Sequence, residues 1–89
     1  MHAKELVIKC PDGLRASKAA NFVDTAGRFS SLIFAEKDNK KINAKSIMGV
    51  LSLCAKQGEK IYVYAQGKDE EEAVKALEKL INEDIKGLN

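Results

Sequence analysis

The chain has 89 residues, enough for one small domain, and we predict a single domain over residues 1–89. Lys and Arg number 15 against 13 Asp and Glu, so the net charge of +2 does not indicate a nucleic-acid or membrane partner. The one histidine, His2, excludes most histidine-based catalysis and the common histidine-containing metal sites.

The chain begins with a strand pattern followed by a helix pattern. Leu6-Val7-Ile8 predicts a short strand, which the turn residues Pro11-Asp12-Gly13 end. After this turn, apolar residues recur at helical spacing and predict a helix that is capped at Gly27. Its predicted buried face has Phe22 at its edge and consists of Ala16, Ala19, Ala20, Val23 and Ala26.

The middle of the chain predicts a hairpin and a second helix. Residues 31–37 read as a strand, Asp38-Asn39-Lys40 as a turn, and Lys41-Ile42-Asn43 as a short strand at the sheet edge. A short helix after Ser46 is predicted to stop at Gly58. Its apolar face consists of Ile47, Val50, Leu51 and Cys54.

The last third predicts a strand and a long helix. Ile61, Val63 and Ala65 alternate with two tyrosines, which is typical of a strand with one buried face. Asp69 and Glu72 have the spacing of a capping box. The apolar face of the helix that follows consists of Ala73, Val74, Leu77, Leu80 and Ile81. This order of elements predicts an α+β two-layer sandwich.

The cysteines and the N-terminus indicate the compartment. Cys10 and Cys54 are far apart and form no CxxC pattern, so we expect small core residues or inert thiols rather than a metal or redox site. The first residues have no apolar core like that of a signal peptide, and no apolar stretch is long enough to span a bilayer. We therefore expect a cytoplasmic protein with free thiols, and no metal or cofactor.

Ser46 has two interpretations that the residues alone leave open. As a helix N-cap it contributes about 1 kcal/mol. A hydroxyl at a helix start is also well placed for phosphorylation, because free amides and the positive end of the helix dipole favour a phosphate there. Met48 lies off the apolar face, where plain surface is the commoner interpretation and an adaptable protein contact is the alternative.

Three segments together resemble a known family. They are Gly13-Leu14-Arg15-Ala16, residues 45–53 and residues 64–70, and they are similar to HPr, the phosphocarrier family of the sugar phosphotransferase system. Residues 45–53 resemble the regulatory-serine motif of its Gram-positive branch, including the Crh proteins. The resemblance covers the whole chain and implies a four-stranded antiparallel sheet covered by three helices, in the order βαββαβα.

The resemblance ends where the family carries phosphate. HPr proteins use a histidine just after the Gly-Leu pair, followed by Ala-Arg-Pro. Here Arg15 stands at the histidine position, Ser17 at the arginine position and Lys18 at the proline position. A guanidinium stays protonated and is no phosphoryl acceptor, so we predict neither phosphocarrier activity nor enzymatic turnover.

Arg15 stands at the positive end of a predicted helix, where a fixed cation is mildly unfavourable. We expect Arg15 to point to solvent, with Asp12 or Ser17 capping the amides. Together with Lys18 it forms either a solvated charged surface or a basic spot that attracts a phosphate on Ser46.

The resemblance implies partners as well. HPr kinase/phosphorylase would phosphorylate Ser46, and the product would bind a LacI-type transcription regulator such as CcpA in carbon catabolite repression. The expected contact surface consists of Ser46 with Arg15, Ser17, Lys18, Ile47, Met48 and Leu51. The alternative is a binding module on the same scaffold that works without phosphorylation. A carrier that uses Ser17 is disfavoured, because serine phosphate is too stable to pass on readily.

Overall fold

The computed structural model describes residues 1–82, in which three helices cover one face of a four-stranded antiparallel sheet. The strand order is β1-β4-β2-β3, and every pairing is antiparallel. The predicted fold class is therefore confirmed. In chain order the elements are β1 His2–Val7, α1 Ala16–Gly27, β2 Leu32–Lys37, β3 Lys40–Asn43, α2 Ile47–Ser52, β4 Lys60–Gln66 and α3 Glu70–Asn82.

The central strand β4 follows the predicted alternation. Ile61, Val63 and Ala65 are buried against the helices, whereas Tyr62 is exposed on the other face and Tyr64 is half-buried there. Tyr64 donates a hydrogen bond of 2.6 Å to Glu36 on β2, and this bond raises the pKa of the tyrosine hydroxyl. One face of the sheet thus forms the core and the other meets solvent.

The hairpin between β2 and β3 forms through a turn of two left-handed residues. Asp38 and Asn39 have φ values of 51° and 68°, which Asp and Asn tolerate better than most residues. The turn directs β3 to the sheet edge, as predicted. Lys40 and Lys41 lie on this edge strand, where charge discourages pairing with another chain.

The buried face of α1 differs from the prediction. Phe22 was placed at the edge of the face, yet its side chain is completely buried, and Ala16 and Ala20 are exposed. Burying an aromatic ring contributes more than burying methyl groups, so the helix is rotated to bring Phe22 to the core. Thr25 is buried beside it.

The two predicted helix stops have different outcomes. α1 ends at Gly27, close to the prediction, but Arg28 occupies the C-cap position in the ordinary right-handed conformation, so the expected glycine cap does not form. The stop predicted at Gly58 is wrong: α2 ends at Ser52, because the backbone becomes left-handed at Cys54. Cys54 is then exposed with a φ of 51°, so its predicted place on the buried face is also wrong, while Cys10 is buried.

The start of α3 is held by different contacts from those predicted. The Asp69 carboxylate accepts hydrogen bonds from the backbone amides of Ser30 and Ser31, both at 3.0 Å. The capping contact comes instead from Glu70, whose Oε1 accepts from the amide of Gly67 at 3.1 Å and whose pKa is lowered by that bond. The predicted Asp69–Glu72 capping box is therefore wrong, although the predicted apolar face of α3 packs into the core.

Lysines from distant elements bind backbone carbonyls near the ends of all three helices. These bonds place a cation where the helix dipole is negative. They run from Lys45 to the Phe29 carbonyl after α1, from Lys40 and Lys37 to the Ser52 and Leu53 carbonyls at α2, and from Lys18 to the Leu80 carbonyl in α3. None of the helices within residues 1–82 is long and apolar enough to cross a membrane.

Candidate functional site

Ser46 caps the N-terminus of α2, as the sequence predicted. Its backbone is extended, and its Oγ accepts a hydrogen bond of 3.1 Å from the amide of Gly49. The side chain is half-buried because α2 packs beside β3: a methyl group on Gly49 would lie 3.2 Å from the Cβ of Ile42. Ser46 is thus held in one place by the first turn of the helix.

The segment before Ser46 is equally well fixed. The Asn43 side chain accepts from the amide of Lys45 at 2.8 Å, and the Asn43 carbonyl accepts from the amide of Ser46 at 3.0 Å. These two bonds form a tight turn between β3 and α2. The hydroxyl of Ser46 is therefore presented by an ordered backbone.

Apolar side chains on α2 lie exposed next to Ser46. Met48 is 75% exposed, and Ile47 and Leu51 are about 40% exposed. Ile47 and Leu51 were expected on the buried face of α2, yet only Val50 is buried within this short helix. We name Ile47, Met48 and Leu51 the α2 patch. Adjacent exposed apolar side chains of this kind suit a protein contact.

Arg15 stands at the N-cap position of α1 and is exposed. Its side chain makes no capping hydrogen bond, and its carbonyl accepts from the amides of Lys18 and Ala19. Within residues 1–82, neither Asp12 nor Ser17 caps this helix through its side chain, so that expectation is wrong. Arg15 presents its guanidinium to solvent, as the electrostatics of a helix start favour.

Ser17 and Lys18 differ in exposure. Ser17 is exposed on the first turn of α1. Lys18 is half-buried, and its Nζ donates to the Leu80 carbonyl of α3 at 3.4 Å. Arg15 is therefore solvated, whereas Lys18 contacts α3, and a basic spot of these two residues that attracts a phosphate on Ser46 stays a prediction.

A groove connects the Arg15 loop with the far end of α2. Its cavity has a volume of about 660 Å³, and Arg15 lies on one wall while Leu51 and Cys54 lie on the other. Arg15 therefore meets the C-terminal end of α2, whereas Ser46 is at its N-terminal end. The α2 patch extends from one to the other.

The cation beside Ser46 is one that the sequence reasoning did not select. Lys45 donates from Nζ to the Phe29 carbonyl at 2.7 Å. Its acceptor is a backbone atom sixteen residues away, and a backbone carbonyl leaves no trace in a side-chain pattern. Only the packing of β3 and α2 against the end of α1 brings the two together.

Comparison with known families gives a match over nearly the whole chain. Residues 2–83 match the family model described as the PTS HPr component phosphorylation site. The match spans both Arg15 and Ser46.

Individual relatives and solved structures agree with that match. The chain is 44% identical to the HPr-like protein Crh of Bacillus subtilis over 96% of this chain and all of that protein. It is 51% identical to the HPr-like protein Crh of Halalkalibacterium halodurans over 86% of this chain and 92% of that one. The crystal structure of HPr-C-His from Thermoanaerobacter tengcongensis superposes with a TM-score of 0.93 at 52% identity, covering 97% of each chain.

Proposed function

The chain belongs to the HPr family, and from this premise we propose that it is a regulatory protein switched by phosphate on Ser46. Members of this family are phosphocarriers or regulators rather than enzymes. The proposal excludes the carrier role, because Arg15 occupies the position of the acceptor histidine and a guanidinium does not accept a phosphoryl group at neutral pH.

The observation that carries the proposal is the placement of the Ser46 hydroxyl. It caps α2 through the Gly49 amide at 3.1 Å and lies next to the exposed Met48. A phosphate on that oxygen would remain at the positive end of the helix, where amides and dipole favour a negative charge. It would also add a dianion at the border of an otherwise apolar surface, so a partner could bind the phosphorylated and unmodified forms with different affinities.

Phosphorylation is tested with purified HPr kinase/phosphorylase and ATP, followed by intact-mass and fragment-mass measurement. We expect one phosphate, located on Ser46. Ser46→Ala should stay unmodified, whereas Ser52→Ala, which removes an exposed hydroxyl at the other end of α2, should still be phosphorylated. An unmodified Ser46 under conditions that modify an HPr of the Gram-positive branch would overturn the proposal.

The absence of carrier activity has its own test. With Enzyme I and phosphoenolpyruvate we expect no acid-labile phosphate on this protein. A phosphohistidine on His2 would contradict that expectation, as would a phosphoryl group on Ser17 that can be transferred onward.

We propose that the partner of the phosphorylated form is a transcription regulator of the LacI type, such as CcpA. The assignment comes from the family, and the exposure of the side chains supports a choice among the expected contact residues. Ser17 offers no planar bidentate donor where HPr proteins have arginine, and Lys18 donates to the Leu80 carbonyl at 3.4 Å, so we place the main contacts at Arg15 and the α2 patch. Both proteins would meet in the cytoplasm, where ATP and the regulator are available.

Regulator binding is measured by titrating the phosphorylated protein into purified regulator. Arg15→Ala should weaken binding about tenfold if the guanidinium pairs with a carboxylate of the regulator. Ser17→Arg should tighten it by restoring the missing donor. Equal affinities for all three proteins would contradict the assigned contact surface.

The exposed α2 patch also favours a second function, in which this surface binds its partner without phosphorylation. Met48 is 75% exposed beside two further apolar side chains, which suits a contact that needs no charge. Under this alternative, the unmodified and phosphorylated forms bind the regulator equally, and Met48→Asp abolishes both. A preference of tenfold or so for the phosphorylated form would favour the switch instead.

A further inference from the structure

The Phe29–Ser30 peptide group is held from both sides by other elements. Its carbonyl oxygen accepts from the Lys45 Nζ at 2.7 Å, and its N–H donates to the Asp69 carboxylate at 3.0 Å. Lys45 precedes Ser46 at the start of α2, and Asp69 precedes α3. A single peptide plane in the connection after α1 therefore joins the starts of both other helices.

The two contacts on this peptide reinforce one another. A cation at the carbonyl oxygen polarises the peptide and makes its N–H a stronger donor, as in other hydrogen-bond chains at low dielectric. Asp69 in turn accepts from Ser31 as well, and these bonds lower its pKa to about 2, with the Ser31 hydroxyl as the largest cause. The strength of the Ser30–Asp69 bond thus depends on where Lys45 is.

Lys45 is the cation placed to respond to a charge on Ser46. Its backbone and that of Ser46 are both fixed by Asn43, so these two consecutive residues are held in one ordered turn. An ammonium group and a phosphate attract one another as opposite full charges, whereas the Phe29 carbonyl offers the ammonium only a dipole. A dianionic phosphate therefore competes well against the Phe29 carbonyl.

We propose that Lys45 responds to phosphate on Ser46 by leaving the Phe29 carbonyl, so that the Phe29–Ser30 peptide transmits the phosphorylation state to the start of α3. The inference rests on the proposed function, because it presupposes phosphate on Ser46. It adds a coupling between Ser46 and a segment that lies outside the α2 patch. The coupling loosens the Ser30–Asp69 bond in the phosphorylated form.

The test uses full-length protein in which phosphoserine is introduced at position 46 during translation. Amide hydrogen exchange at Ser30 is then measured by NMR with and without the phosphate. We expect about fivefold faster exchange in the phosphorylated protein, the change that loss of one modest hydrogen-bond contribution produces. Unchanged exchange at Ser30 would overturn the proposal.

Two lysine variants separate the proposed route from a general effect of phosphate. Lys45→Met keeps the aliphatic stem, and its Ser30 amide should already exchange fast, with no further change on phosphorylation. Lys40→Met removes a lysine that binds the Ser52 carbonyl at the other end of α2, so it should behave like the parent protein. A full phosphate effect in Lys45→Met would contradict the proposed route.

A second readout reports the phosphate itself. In a phosphorus NMR titration, the second pKa of the phosphoserine should be lower in the parent protein than in Lys45→Met, because the ammonium favours the dianion. Identical titrations would mean that Lys45 does not bind the phosphate, which also overturns the proposal. The phosphoserine is introduced without a kinase, so these measurements do not depend on the kinase assay. Failure of the kinase assay would contradict the proposed function alone.

Discussion

At the scale of single residues, the Asp69 side chain has partners that differ from those its sequence context predicts. From sequence it reads as a helix N-cap, since it precedes a helix and has Glu72 three residues later. In the structure its carboxylate instead binds the amides and hydroxyls of Ser30 and Ser31, nearly forty residues away. Local spacing predicts local partners, and it could not reveal a pair of donors supplied by the connection between α1 and β2.

The Asp69 contacts predict how stability changes with pH. Hydrogen bonds from Ser31 and Ser30 hold the pKa of this carboxyl at about 2, below its ordinary value of 3.8. The folded form therefore gains stability above the unfolded pKa, and this gain is lost as the pH falls from about 4 towards 2.

We expect the free energy of unfolding to fall over that range in the parent protein and to fall less steeply in Asp69→Asn. Urea unfolding at a series of pH values measures both. Asp24→Asn, at an exposed carboxylate on α1, serves as the control and should keep the slope of the parent protein. If Asp69→Asn kept the full acid dependence, the Asp69 contacts would not be its source.

At the scale of elements, glycines that look alike in the sequence have different roles. Gly13 has a φ of 77°, and a methyl group there would lie 2.5 Å from the carbonyl oxygen of Ala55. The turn after β1 thus packs directly on the backbone that follows α2. Gly27 is the last residue of α1, and within residues 1–82 an added methyl group would meet no atom within 4 Å apart from its chain neighbours and the backbone of its own helix. The sequence marks both as breaks, and only the backbone conformation distinguishes them.

These two glycines give a matched pair of substitutions. Gly13→Ala should destabilise the fold by about 1–3 kcal/mol, because it adds both backbone strain and a clash with a carbonyl. Gly27→Ala should stabilise it by about 0.5–1 kcal/mol, because alanine is the better helix former. Urea unfolding midpoints test both. The same direction of change for both variants would contradict this distinction.

At the scale of the whole molecule, one core joins the sheet and the three helices. Phe22 is its largest fully buried side chain, and residues from β1, β2, β4 and all three helices share the cluster. A domain of this size buries relatively little surface, so single core residues carry a large share of its stability. The rotation of α1 that brings Phe22 inward is therefore a property of the packed molecule rather than of the helix.

The position of Phe22 predicts the cost of removing it. Phe22→Ala should destabilise the protein by about 3–5 kcal/mol, which approaches the total stability of a small domain. Phe22→Leu keeps a large apolar side chain and should give a smaller loss with a measurable urea transition. Val23→Ala, at the half-buried neighbour, should cost about 1 kcal/mol. Equal losses at both positions would contradict the central role of Phe22.

The sequence by itself determined the order of the elements, the alternation in β4, the edge position of β3 and the cap at Ser46, because each depends on neighbours within one strand, turn or helix. The resemblance to the HPr family adds the prediction that Arg15 occupies the place of a phosphate-accepting histidine. The tertiary structure alone decided the contacts of Asp69, the inward turn of Phe22, the exposure of Cys54 and the bond from Lys45 to Phe29. Those features depend on how the helices pack on the sheet. They also depend on contacts to backbone atoms, which are the same for every residue type and so cannot be predicted from a side-chain pattern.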